Sequence, residues 1–229
     1  RIYGVMVMQQ ATDFLEESKA LAGLLAALSD LDFETQTQFK GWTINNIVRH
    51  LHVWNIAVDL SLQDEAAFGA FVTAMMAGVR GGKLPAFEAS YLDGISGQAL
   101  LQAWLERTEA VAAAFANADP KLRLKWVGPD MSALSSITAR LMETWAHAQA
   151  VYDVLGVARQ DTDRIGNIVR LGVNTWGFTW KNRRQDPPGP MPQVHLTAPS
   201  GTIWEYGEVS DSGRITGSAT EFCQVVTQC

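Results

Sequence analysis

The sequence predicts a mainly α fold, a helical bundle followed by a small α+β module. Three observations carry this reading. Apolar residues recur every three to four positions from about residue 12 to about residue 181. Four of the chain's eight prolines then fall within Gln185–Pro192, a composition that reads as a semi-rigid connection. Beyond it the apolar period drops to two, as in half-buried strands.

Taken in order, residues 12–29 form the first predicted helix. Asp13 and Glu16 have capping-box spacing, and Phe14, Leu21, Leu25 and Leu28 give the apolar stripe. Residues 30–42 connect it to a second helix, which Thr43 opens as N-cap and which runs to about residue 62. Ile44, Ile47, Leu51, Trp54, Val58 and Leu62 share one of its faces, and it carries His50 and His52. A third helix covers about 64–79 and is stopped by Gly81-Gly82; residues 83–95 read as a loop. The fourth spans about 97–117, between a Ser96 cap and Asp119-Pro120. Residues 121–131 read as irregular or a short strand, with a turn at Gly128-Pro129-Asp130. The fifth helix, about 133–155, ends at Gly156, a residue suited to the left-handed position past a helix. The sixth runs from Asp161 to about Lys181. It closes on Lys181-Asn182-Arg183-Arg184, where cations complement the helix dipole.

Past the prolines, Val194 and Leu196, then Ile203, Glu205 and Gly207, suggest two strands joined around Pro199-Ser200-Gly201. Arg214-Ile215-Thr216 adds a third. Ser218 and Glu221 form a capping box opening a last helix with Phe222, Val225 and Val226. The expected organisation is a helical domain over 9–184 and the start of a small α+β domain over 193–229. The pattern runs undiminished to Cys229, which reads as a truncated module.

Composition narrows the function. With 47% apolar residues among 229, the chain can bury a sizeable core. A net charge of −6 with no basic patch argues against nucleic acid as the main partner. No apolar run reaches the roughly 18–20 residues of a membrane span, so no membrane partner is expected. Residues 1–8 lack the apolar core of a secretory signal, and Met6 or Met8 would serve as a start. The two cysteines, Cys223 and Cys229, make neither a disulfide framework nor a cysteine-rich zinc module. A cytoplasmic protein acting on a small molecule is the expectation, and helix faces of this kind are compatible with a homodimer.

Glu143 and His147 are four residues apart, which on a helix stacks them on one face. That face lies opposite the stripe of Ile137, Leu141, Trp145, Ala148, Tyr152 and Leu155, and its neighbours Ser136, Ala139, Ala150 and Val154 are small or apolar. A carboxylate and an imidazole in such surroundings need a partner, either a metal or a cation such as Arg140, three residues before Glu143. On the second helix His50 lies at the edge of the apolar stripe, whereas His52 points away with Asn45, Arg49 and Asp59 and reads as a surface residue. His195 reads as one face of a half-buried sheet. The candidate ligand set is therefore His50, Glu143 and His147. Two imidazoles and a carboxylate suit Zn²⁺, with Ni²⁺, Fe²⁺ or Mn²⁺ as alternatives, and three protein ligands leave the open position of a catalytic metal.

The stretch Gly41-Trp42-Thr43-Ile44-Asn45-Asn46-Ile47-Val48-Arg49-His50-Leu51 resembles the first ligand motif of the DinB/YfiT-like metal-binding superfamily. Glu143-Thr144-Trp145-Ala146-His147-Ala148-Gln149 resembles the second motif of its mycothiol-dependent maleylpyruvate isomerase branch. The resemblance implies a four-helix bundle joined to a sterol-carrier-like α+β domain, and metal ligands at His50, Glu143 and His147. It also implies a low-molecular-weight thiol as cosubstrate. Arg214 is a candidate anion-binding residue that no motif places.

Three functions follow as expectations. The first is a metal-dependent enzyme activating a small thiol for S-transfer or isomerisation of an electrophile. The second is a metal-dependent hydrolase using metal-bound water, for which Asp59 and Asp93 are the candidate general bases. The third is a non-catalytic metal- or ligand-binding module. Trp42, Trp54, Trp145, Trp176, Phe178 and Trp180 read as core rather than as a ligand cage.

Overall fold

The computed structural model describes residues 7–80 and 84–229. Met6 as a start and Gly81-Gly82 as a helix stop lie outside the described residues. Contacts divide the chain into two compact units, Arg1–Ala158 and Arg159–Cys229.

The first unit is built on α1 (Gln9–Leu25), α2 (Ile44–Gln63), α5 (Gly97–Ala116) and α6 (Ala133–Leu155). Each of α1 and α2 packs on both α5 and α6, which makes a four-helix bundle. Its interior is apolar: Phe14, Leu21, Leu25, Ile47, Leu51, Leu100, Trp104, Phe115, Ile137, Leu141 and Trp145 are fully enclosed. Each Leu, Ile or Phe among them contributes roughly 1.5–3 kcal/mol of burial. Helices α3 (Glu65–Arg80) and α4 (Leu84–Tyr91) pack against α2, and a two-residue antiparallel hairpin, β1 (Arg123–Leu124) with β2 (Met131–Ser132), precedes α6.

The helix ends show which local signals operate. Thr43 and Asn46 form a reciprocal capping box at the start of α2, and Gly156 closes α6 at φ 66°. Asp13 and Glu16 do not cap α1. That helix begins a turn earlier, after Met8, whose backbone N–H is held by the Ala116 carbonyl at 3.2 Å. Ser96 occupies the N-cap position of α5 without a side-chain cap. Its task passes to distant residues. Asn45 Oδ1 accepts from the Gly97 N–H at 2.9 Å, and Asp30 Oδ1 from the Gln98 N–H at 2.8 Å. The expected loop at 83–95 contains α4. Its intrinsic signal is weak, and tertiary packing of Phe87 and Leu92 on Val53, Ala57 and Phe71 holds it.

The second unit carries α7 (Gly166–Asn174), α8 (Trp176–Asn182), strands β3 (Gln193–Thr197), β4 (Ile203–Tyr206) and β5 (Arg214–Ser218), and α9 (Ala219–Thr227). The sheet order is β4-β3-β5; β3 pairs antiparallel with β4 and parallel with β5. Val194 and Leu196 face inward while His195 between them is half-buried, the expected period of two. The Ser218–Glu221 capping box opens α9. The expected sixth helix is broken. A short 3₁₀ turn, Asp163–Ile165, precedes α7, and the chain leaves helical geometry at Thr175. The Thr175 hydroxyl bonds back to the carbonyls of Leu171 and Gly172, competing with the helix ladder.

Candidate metal centre

His50 stands in the second turn of α2, and Glu143 and His147 stand one turn apart on α6. The two helices pack on each other, with Ile47 and Leu51 of α2 and Ala148 of α6 in one buried apolar cluster, which holds the polar trio at a fixed spacing. One ligand atom from each of the three lies within 4.8 Å of the other two. His147 Nε2 is 3.2 Å and His50 Nε2 3.8 Å from Glu143 Oε2. Donors about 2.0–2.1 Å from one tetrahedral centre stand about 3.3 Å apart, so this donor set fits a single small divalent ion.

Aromatic rings wall the site. Trp42 lies parallel to the His147 ring at 5.9 Å, Phe39 meets the same ring edge-on at 4.9 Å, and Trp42 is 5.3 Å from His50. Glu143 keeps 35% of its side chain open and is the accessible edge of the trio. Behind His50, Glu88 is fully buried; its Oε1 is 2.7 Å from His50 Nδ1 and accepts from Trp54 Nε1 at 3.1 Å.

The electrostatics follow from burial and from these contacts. Burial alone would raise the Glu143 carboxyl, but contact with His147 and His50 and the charge of Arg140 hold it well below the usual carboxylate range. Burial works against a charged His50, and Glu143 and Glu88 outweigh it, so that imidazole sits above its ordinary value. For His147 burial prevails over Glu143, and its value falls. Arg140 does not hydrogen-bond Glu143 in the way that its spacing suggests. Its Nε donates to Asn55 Oδ1 at 3.0 Å and an Nη to the Leu51 carbonyl at 3.4 Å. Burial lowers its guanidinium to about 10, against the pull of Glu143 and Glu88, so it remains a cation at neutral pH.

The model of the mycothiol maleylpyruvate isomerase N-terminal domain family matches residues 14–152. The chain belongs to this family. The span shared with the mycothiol maleylpyruvate isomerase N-terminal domain contains His50, Glu143 and His147. Two curated relatives, the uncharacterized proteins Rv0036c and MT0041 of Mycobacterium tuberculosis strains H37Rv and CDC 1551, are each 38% identical over 217 residues. That is 94% of this chain and 83% of theirs. A crystal structure of the mycothiol-dependent maleylpyruvate isomerase has a TM-score of 0.59 at 16% identity, covering 95% of this chain and 87% of that one. A mutant of the same enzyme scores 0.59 at 15% identity. At these identities the likeness is one of fold.

Within this mycothiol maleylpyruvate isomerase N-terminal domain, other residues sit differently from their sequence reading. His52 is buried, not on the surface, because α2 is covered by α3, α4, α5 and α6. Burial and then the charge of Arg107 push it down to about 4. Asp59 is occupied by Arg107 and Gln63, and Asp93 is exposed in a left-handed turn. Trp145 is core; Trp42 and Trp54 line the site or its backing. Trp176, Phe178, Trp180, His195 and Arg214 lie in the second unit, where Phe178 is exposed and Arg214 approaches Glu205 at 3.6 Å. Glu88 carries no sequence signal. It lies in a stretch read as a loop, 38 residues from His50.

Proposed function

We propose that the chain binds a divalent metal, Zn²⁺ first among Ni²⁺, Fe²⁺ and Mn²⁺, through His50, Glu143 and His147, and activates a low-molecular-weight thiol toward a small electrophile. The observation that carries the reading is the convergence of two imidazole Nε2 atoms and one carboxylate oxygen in a chain of this family. When bound, the ion supplies Lewis acidity, which favours the ionised form of a coordinated thiol at neutral pH.

The remaining work belongs to the protein. Glu143 is held as a carboxylate and His147 as a neutral imidazole, the charge states that metal ligation requires. Arg140 offsets the negative charge of Glu143 and Glu88 from within the bundle. Trp42 and Phe39 exclude water along the His147 ring, and the open edge of Glu143 is the approach for substrate. A thiolate delivered there adds to an electrophilic carbon, giving S-transfer. If it adds to a carbon–carbon double bond, the bond order falls to one, rotation follows, and expulsion of the same thiolate completes a cis–trans isomerisation. The enzyme of similar fold, a mycothiol-dependent maleylpyruvate isomerase, is named for an isomerisation that depends on a thiol. The scarcity of cysteine and the free thiols are in keeping with a cytoplasmic location.

The test is a panel of thiols, mycothiol and glutathione among them, against small unsaturated acids and against esters, with the metal-loaded protein. Turnover of the unsaturated acids only when thiol is present is expected. Ester turnover without any thiol would place the chain among hydrolases instead.

A further inference from the structure

We propose that Glu88 is the positioning residue of this centre: its buried carboxylate keeps the His50 proton on Nδ1 and so presents the Nε2 lone pair to Glu143 and His147. This rests on the reading of those three residues as metal ligands.

The placement of Glu88 is inverted with respect to its helix. It is the one buried residue of α4, and it is fully enclosed. Enclosing a carboxylate carries a desolvation cost that is tolerated only where the group is hydrogen-bonded or paired. Its Oε2 has no hydrogen-bond partner among the described residues, so the whole pairing is concentrated on Oε1. An indole N–H only donates, so the 3.1 Å contact from Trp54 Nε1 makes Oε1 an acceptor. As a carboxylate Glu88 only accepts, so the 2.7 Å contact with His50 places a proton on Nδ1. A neutral imidazole has one N–H, which leaves the lone pair on Nε2, the nitrogen that faces Glu143 Oε2 at 3.8 Å. A metal ligand needs that tautomer, and a carboxylate behind the far nitrogen is a recurring way to fix it. Trp54 comes from the same helix as His50, one turn on, so α2 supplies both the ligand and the group that orients its support.

The tautomer and the metal affinity test this separately. In zinc-free protein at pH 9, above the ordinary imidazole range, nitrogen NMR of the wild type is expected to show His50 protonated at Nδ1 only. In Glu88→Ala the His50 shifts should move toward the other tautomer while those of His147 stay. Zinc affinity, from chelator competition, should fall about 10- to 100-fold. Glu88→Gln keeps the side-chain volume and carries the test if the alanine variant does not fold; a loss of about tenfold is expected there. A folded variant with unchanged His50 nitrogen shifts and zinc affinity within about threefold of wild type overturns the proposal. If wild-type protein takes up no zinc, the metal reading fails, and the His50 tautomer alone then decides the role of Glu88.

Discussion

Replacing Gly97 by alanine tests the junction that seats α5 against α2. Gly97 has φ +60°, a region that costs an L-residue about 1–2 kcal/mol. A Cβ built there would stand 2.2 Å from Asp30 Oδ1. Asp30 is exposed and can swing away, but doing so gives up its bond to the Gln98 N–H, a cap worth about 0.5–2 kcal/mol. The sum is roughly 1.5–4 kcal/mol of destabilisation, a fall of about 3–16 °C in Tm for a chain of this size. Gly23 is the internal control. It lies in the last turn of α1, exposed, with nothing within 4 Å of an added Cβ, so Gly23→Ala should stabilise by about 0.4–1 kcal/mol. Circular-dichroism melts of both variants give the answer. Gly97→Ala melting within a degree of wild type, or both variants moving in the same direction, would refute the reasoning.

Three further outcomes are expected. Asn55→Ala removes the acceptor of the Arg140 Nε–H and the Nδ2 donor to the Thr108 hydroxyl inside the bundle, leaving a buried charged donor unpaired; urea denaturation should show a loss of about 2–4 kcal/mol. Cys223 is fully buried, and burial followed by the charge of Asp161 pushes its thiol up to about 12. The folded thiol therefore stays protonated between about pH 9 and 12 while the unfolded one ionises, so stability falls as pH rises through that window, by about 1.4 kcal/mol at pH 10; Cys223→Ala should flatten this slope in denaturation curves at pH 8 and 10. Ser218→Ala dismantles the capping box of α9 and should cost about 1 kcal/mol, read as faster hydrogen exchange in α9.

Signals that are local in the chain were legible in the sequence. Thr43, Gly156 and the Ser218–Glu221 pair act within four residues of themselves, and each marks its helix end as expected. The spacing of Glu143 and His147 is a property of one helix, and the inward lean of His50 follows from its own stripe. What stayed hidden depends on contacts made across the fold. The cap of α5 comes from Asn45 and Asp30, 52 and 68 residues from their partners. A wheel drawn on α2 alone sees one apolar face and cannot know that other helices cover the His52 side. Glu88 lies on a two-turn helix whose propensity is outweighed by packing, and its meaning arises only when His50 and Trp54 are brought to it.

The central claim is that His50, Glu143 and His147 hold one metal ion. Elemental analysis of protein purified without a polyhistidine tag tests it most directly. About one equivalent of a divalent metal per wild-type chain is expected, Zn²⁺ foremost, with its loss in a folded His147→Ala variant. Stoichiometric metal retained by His147→Ala would contradict it.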